Sequence, residues 1–473
     1  MSAATGLAER GVAVTLVEAE QTLGGRARAW PVDAAGGATT MSRGFHAFFR
    51  QYYNLRALLR RSDPDLSSLR PIDDYPLRLR DGHTDSFAGL PTTPPLNLMA
   101  FVAHSPSFSA RDLTKVDVDA ALGLLDVEFP RTFSEYEGRS AADVLDALRF
   151  PSGARHLALE VFSRSFFADP REFSGAELVA MFHTYFLGSA EGLLFDVPRD
   201  DYDTTLWAPL GRYLHCLGVE VRTGMRVTAL DDAGEEVAVR LDDGRSVTAD
   251  AVVLATDQAP LQRIVEATPW LGDEQWRGRV HRRQSAPPFA VWRMWLDRRT
   301  RDGTPAFLGT SNFGPLDNVS VVHLFEDGAA RWAATHGGSV VEVHAYAVPP
   351  RTEEGVLRDE LREQLLVVHP ELQQARVVHE EWLVHDVCPL ISTEAWTERL
   401  EVSTPDPRVA LAGDGLRCDY PVALMERAAT TGWLAANQHL AAWGLPGHDI
   451  WTVPMRGRHR LVRPLRRIIP LPG

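Results

Sequence analysis

Apolar and polar positions along the chain change period several times, and each change marks an element. Residues 2–10 are spaced as a short helix ending at Gly11, and Val12, Val14 and Leu16 then alternate with polar neighbours as a strand should. Ser140 with Asp143, and Ser174 with Glu177, have the form of helix N-caps, so the runs 144–150 and 178–195 are expected to be helical. From Leu217 the period becomes two: GVEVRTGMRVTAL and EEVAVRLDDGRSVTADAVVLATD predict strands, with a hairpin at Asp242-Asp243-Gly244 and a buried strand over 252–255. PFAVWRMWL and SVVEVHAYAV predict strands of a second sheet, and 354–367 predicts a helix. The segment 408–436 has the pattern of strand, glycine turn, loop and helix, the helix starting at Val422. There is no internal repeat and no low-complexity linker, so any domains are interleaved.

Candidate chemistry sits at the ends of two predicted strands. Glu18 closes the first, where an acidic side chain can accept the hydroxyls of an adenosine ribose. Gly24 and Gly25 follow and let the backbone approach a pyrophosphate, while Arg26 can bind phosphate or flavin oxygens. Near the other end Gly413, Asp414 and Gly415 form a turn after a buried strand and before a helix, where Asp414 can accept from a ribityl hydroxyl. Together the two segments point to FAD. The strand and GxGxxG turn of a complete ADP-binding unit are expected before Met1, with about 20 to 40 further residues.

Composition narrows the alternatives. The chain has 473 residues, 45% of them apolar and 24% charged, which suits a globular protein of two or three domains. A net charge of -14 argues against nucleic acid as partner. Cys216, Cys388 and Cys418 are too scattered for a disulfide framework or a metal site, so no metal is expected and a reducing, cytoplasmic setting is. The tail beyond residue 445 is basic, with Arg456, Arg458, Arg460, Arg463, Arg466 and Arg467, and suits anionic lipid. An apolar stub over 96–108, bounded by prolines and too short to span a bilayer, is a second candidate for peripheral membrane contact.

LVEAEQTLGGRARAW, GFHAFFRQYYN, SFFADPREFS, VVLATD and LAGDGLRCDYPVALMERA, in this order, resemble the plant-type carotenoid desaturase branch of the amine-oxidase-like flavoproteins. The segment GFHAFFRQYYNLRALLRR is most similar to the ring-aromatising isorenieratene synthase subfamily. The resemblance implies an α/β fold in which a Rossmann-like FAD domain of the glutathione-reductase type (1–60, 205–265 and 396–445) is interleaved with a mixed-sheet and helical substrate domain (61–204 and 266–395), followed by the basic tail 446–473. By the same resemblance Val227 and Met425 join Glu18, Gly24, Gly25, Arg26 and Asp414 as FAD contacts, and Arg427 stands where several desaturases have glycine.

The implied substrate is a carotenoid, a hydrocarbon that needs an apolar, aromatic pocket. Phe45, Phe48, Phe49, Tyr52 and Tyr53 are candidates for its lining, and His46 is the one titratable group among them and a candidate catalytic residue. The implied reaction converts a β-ionone ring into an aromatic ring with migration of a methyl group. The rivals are a phytoene- or ζ-carotene-type desaturase or a carotene isomerase, a flavin amine oxidase acting on a polar substrate, and an inactive truncated product without flavin.

Overall fold

The computed structural model describes residues 1–80, 82–107, 116–149 and 166–458. Its largest element is a seven-stranded sheet whose order is Val377–His385, Phe289–Leu296, Ser339–Ala345, Asn318–Val321, Phe307–Ser311, Leu77–Leu79 and Thr84–Asp85; neighbours are antiparallel except Phe307–Ser311 with Leu77–Leu79. Every residue of Phe289–Leu296 and of Ser339–Ala345 is buried, because both faces are covered. Ala290, Trp292, Met294 and Leu296 point toward the helix Glu354–Val368, packing with Leu357, Leu361 and Leu365. The alternate residues Phe289, Val291 and Trp295 point the other way, into a cluster with Met41, Phe195, Phe325 and Trp332.

The strands expected to bind the nucleotide form short parallel pairs. Thr15–Glu18 pairs with Glu220–Thr223, and Val252–Leu254 pairs with Val409–Leu411. An antiparallel meander, Val227–Ala233, Glu236–Leu241 and Ser246–Ala249, lies between them in sequence. The expected hairpin at Gly244 is present, with φ +83 in its turn. Helix Ser2–Ala8 packs on the long helix Leu424–Ala442, and the approach is close because Gly6 faces Ala436 and Gly432 faces Ser2, each leaving only 2.9 Å for a Cβ.

Several sequence expectations shift. The first strand forms at Thr15–Glu18, although burial alternates from Val12 as the pattern required. Ser140 and Asp143 do form a capping box on Ala141–Ala147, but the Ser174 side chain makes no cap bond on Gly175–Phe182. Glu177 has instead been drawn into the interior by two arginines. The run 178–195 is not one helix: it ends in a wide turn at His183–Leu187, passes Gly192 at φ +82, and re-enters as strand Phe195–Pro198, which pairs with Phe48–Phe49 and Leu69–Pro71. The helix expected from Val422 starts at Leu424, since Val422 supplies its carbonyl to Arg427. Phe108, the last residue of the expected stub, Phe150, the last of the expected run 144–150, and the tail from 459 lie outside the described residues.

Candidate active site

The two expected glycine turns converge through Arg26 and Asp414, although nearly 390 residues separate them in sequence. Gly24 has φ +112 and Gly25 φ +57, backbone states that disfavour side chains. The Trp207 ring lies over the Cα of Gly24, so closely that any Cβ would overlap it, and its indole N–H donates to the Ala27 carbonyl at 2.6 Å. Trp207 thereby fixes the turn that carries Arg26. The Arg26 guanidinium ion-pairs with Asp414 through Nη2 and with Asp257 at 3.3 Å through Nε. Burial opposes its charge, but Asp414 more than offsets this and raises its pKa.

The residues fit a flavin nucleotide. A Cβ built on Gly25 or on Gly413, which has φ +155, would meet nothing within 4 Å, so both turns border free space rather than packed protein. Glu18 stands at the end of its strand with Oε1 accepting from the Glu20 N–H at 2.9 Å, and burial raises its pKa. Val227 is half-buried at the start of its strand, and Met425 lies in the first turn of Leu424–Ala442. Leu424, the first residue of that helix, holds φ +55, an unusual state for a leucine.

The aromatic segment follows the flavin turns. Phe48 and Tyr52 are buried core residues. Phe45 packs among Phe195, Phe307 and Phe325, and Phe49 against Tyr52, Tyr185 and Phe195, with ring centroids 4.5–5.9 Å apart. Tyr53 opens the helix Tyr53–Leu59 and is half-buried, interacting with Glu191. His46 lines a small internal cavity with Tyr202, Arg293, Glu326 and Glu342. Its Nδ1 bonds the Gly44 carbonyl at 2.9 Å, which makes Nδ1 the protonated nitrogen and leaves Nε2 as acceptor. Burial pushes its pKa down to about 4, so the ring is neutral at pH 7.

Sequence reasoning missed the charged cluster behind His46. Arg293 and Glu342 face each other across adjacent strands and pair at 2.8 Å. Glu342 also meets His344 at 2.7 Å, and His344 meets the Tyr346 hydroxyl at 2.6 Å. Burial disfavours the Glu342 charge, yet Arg293 and His344 hold it down to about 2. Glu326, 3.7 Å from Arg293 with only a 3.5 Å contact from the Thr40 hydroxyl, is pushed by burial up to about 7. The signal was present in the sequence: an Arg inside PFAVWRMWL and a Glu-Val-His inside SVVEVHAYAV are polar side chains in buried strands, which must find one another.

A second cavity is lined by Tyr52, Tyr185, Thr184, Val422 and Glu426 among others. Glu426 accepts from the Asn54 and Leu55 backbone N–H groups at 2.8 and 2.9 Å and so caps the helix Tyr53–Leu59 from outside. Arg427 is buried, donating to the Val422 carbonyl at 2.9 Å and pairing with Glu177 at 2.5 Å. That is the role of the residue at the position where glycine was the alternative. Among the described residues no helix is long and apolar enough to cross a membrane and no group of side chains has the form of a metal site. The stub forms helix Leu96–His104, with Leu96 and Met99 54% and 62% exposed. Phe101, expected to contact lipid, is in the core instead, stacked on Phe87 at 4.9 Å.

Residues 1–440 match the family model described as flavin containing amine oxidoreductase. The chain is 54% identical over 471 residues to the carotenoid phi-ring synthase of Streptomyces griseus, covering 98% of this chain and 90% of that protein. It is 26% identical over 582 aligned positions to the carotenoid phi-ring synthase of Chlorobaculum tepidum, covering 97% and 89%. Among solved structures, a putrescine oxidase double mutant superposes with a TM-score of 0.66 at 14% identity, covering 93% of this chain and 96% of that one.

Proposed function

This chain belongs to the flavin containing amine oxidoreductase family, an FAD-dependent oxidoreductase by that membership, and from this premise we propose that its substrate is a carotenoid whose β-ionone rings it converts to aromatic rings. The observation that carries the reading is the aromatic cluster around Phe45 and Phe49, next to His46, which lies within reach of the Arg26 charge; two relatives named for carotenoid ring synthesis support it. The rings packed around Phe45 and Phe49 offer a hydrocarbon the apolar contact it needs, while the carboxylates behind them are engaged by Arg293 and His344.

We assign FAD binding to Glu18, Gly24, Gly25, Arg26, Val227, Gly413, Asp414, Gly415 and Met425. Bound FAD supplies the oxidising equivalents, two electrons per desaturation. Phe45 and Phe49 position a ring and exclude water, while Phe48, Tyr52 and Tyr53 support them from behind. His46 presents Nε2 to accept a proton as the ring loses it; with a pKa near 4 it cannot store that proton and passes it on. Each β-ring gives up four hydrogens in two such oxidations, one methyl moves to the neighbouring ring carbon, and every carbon is kept. The intervals 1–60, 205–265 and 396–445 form the FAD domain in this reading, and the enzyme docks peripherally on the cytoplasmic face of a membrane that holds the carotenoid.

The test is product identity. Purified FAD-loaded protein, β-carotene in mixed micelles and an electron acceptor should yield a product lighter by four hydrogens per ring, with aromatic protons and three aryl methyls in its proton NMR spectrum. A lengthened polyene with unchanged end groups would mean an acyclic-type desaturase, and loss of carbon would exclude methyl migration.

A further inference from the structure

Four arginines crowd the glycine turn at 413–415, and three of them are neutralised. Arg26 pairs with Asp414 and Asp257. Arg399 and Arg427 share Glu177, one on each carboxylate oxygen, at 2.8 and 2.5 Å. Both oxygens of Glu177 are thereby engaged. The fourth, Arg283, follows helix Glu274–Arg282 and has no carboxylate within ion-pair distance among the described residues. Among the described residues its guanidinium makes one hydrogen bond, from Nη2 to the carbonyl of Gly415. The same nitrogen, with Pro389, lies so close to the Cα of Gly415 that a Cβ there would be only 2.7 Å from it.

A guanidinium has five N–H donors, and in half-buried Arg283 one carbonyl leaves most of them open to an incoming ligand. Burial lowers the Arg283 pKa, Arg399 and Arg427 repel its charge, and Glu394 and Asp414 favour it only from a distance. A partly desolvated cation without a counter-charge gains when an anion reaches it, and the open donors beside Gly415 leave room for one. The neighbouring residue, Asp414, is the ribityl contact in the reading above, so the anion that reaches Gly415 belongs to the same cofactor.

We infer that Arg283 is a binding residue for FAD that neither the glycine motifs nor the family resemblance identifies, its guanidinium meeting a negatively charged part of the bound cofactor beside Gly415. Two parts of FAD have that chemistry: the pyrophosphate, and the N1–O2 edge of the isoalloxazine, which becomes anionic on reduction. Either would explain why position 415 is a glycine, since a side chain would displace the guanidinium. The inference rests on the assignment of the 413–415 turn to FAD and is independent of the carotenoid reading.

The experiment uses full-length protein reconstituted with FAD, in wild type, Arg283→Met and Arg283→Lys. Affinity is measured by flavin fluorescence at low and high salt, and the midpoint potential of the bound flavin by dye-linked reduction. Arg283→Met should weaken FAD about ten- to a hundredfold, the range for losing one charge-assisted hydrogen bond. Arg283→Lys should recover most of this at low salt. A weakened affinity with an unchanged potential places the guanidinium on the pyrophosphate; a lowered potential places it on the ring edge. The inference is overturned by wild-type affinity and potential in Arg283→Met. It is equally overturned if both variants lose FAD together with a matching drop in the melting temperature of the FAD-free protein, because the arginine then only holds the Gly415 loop.

Discussion

Gly24 shows how one absent side chain positions the chemistry. Its φ of +112 alone would strain any other residue, and the Trp207 ring occupies the place of a Cβ. Gly24→Ala should therefore destabilise the fold by about 3 kcal/mol, strain and overpacking combined, and should displace Arg26 and so weaken FAD. Denaturant unfolding and flavin fluorescence of the same samples check both, and an unaffected affinity would detach the turn from the cofactor. Asp414→Ala should release FAD while the secondary structure is retained, read as the flavin-to-protein absorbance ratio after gel filtration. Because Arg26 would lose its main counter-charge, Asp414→Asn should fall between alanine and wild type.

At the scale of elements, the strand Phe289–Leu296 carries its one charge, Arg293, into the cluster of Glu342 and Glu326, and this makes stability depend on pH. The folded pKa of Glu326 is raised to about 7 from an ordinary value near 4.5, so the folded state binds the proton more tightly. Its contribution is complete below about pH 4.5 and is lost as pH rises through 7, up to about 3 kcal/mol. Glu326→Gln should flatten the fall in stability between pH 5 and pH 8; an unchanged slope would place the titration elsewhere. Helix Leu96–His104 gives a second prediction. Leu96→Ser with Met99→Ser should reduce co-sedimentation with anionic vesicles without altering the melting temperature, whereas Phe101→Ser should destabilise the protein by about 3 kcal/mol through its stacked core partner. Vesicle binding unaffected by the double change would remove this helix from the membrane contact.

Elements and turns with strong local periodicity were legible from sequence: the strands after Leu217, the helix Glu354–Val368 and the two glycine turns, as turns, came out nearly as expected. The partners were not. Nothing local to Glu177 says that it will abandon a capping position, and nothing in PFAVWRMWL names Glu342 as the partner of Arg293, because those pairings depend on which strands and helices become neighbours. Phe101 misled for a related reason: a short apolar helix has the same composition whether its face meets lipid or, as here, Phe87 and Phe186.

The whole molecule is held by ties between distant segments, and Glu177 is the clearest of them. It is fully buried and joins helix Gly175–Phe182 to Arg399, ahead of the last parallel strand, and to Arg427 in the long helix at the cofactor turn. Other ties run alongside it: Glu9 receives Arg61 at 3.1 Å and Tyr213 at 2.7 Å, and Glu426 anchors Asn54. Replacing Glu177 by alanine would leave two buried guanidinium groups without a counter-charge, beside Arg283 which already lacks one, and a loss of about 3–5 kcal/mol follows. The helix containing Met425 would lose the lock that Arg427 makes between Glu177 and the Val422 carbonyl. FAD affinity should therefore fall with stability although Glu177 contacts no part of the expected cofactor site, and saturating FAD should restore part of the melting temperature by mass action. Chemical denaturation with and without excess FAD tests this. A loss under 1 kcal/mol would mean that water reaches the arginines in the mutant. An unchanged FAD affinity would mean that the cofactor turn is set locally by Gly413 and Asp414, with no help from the segment 175–182.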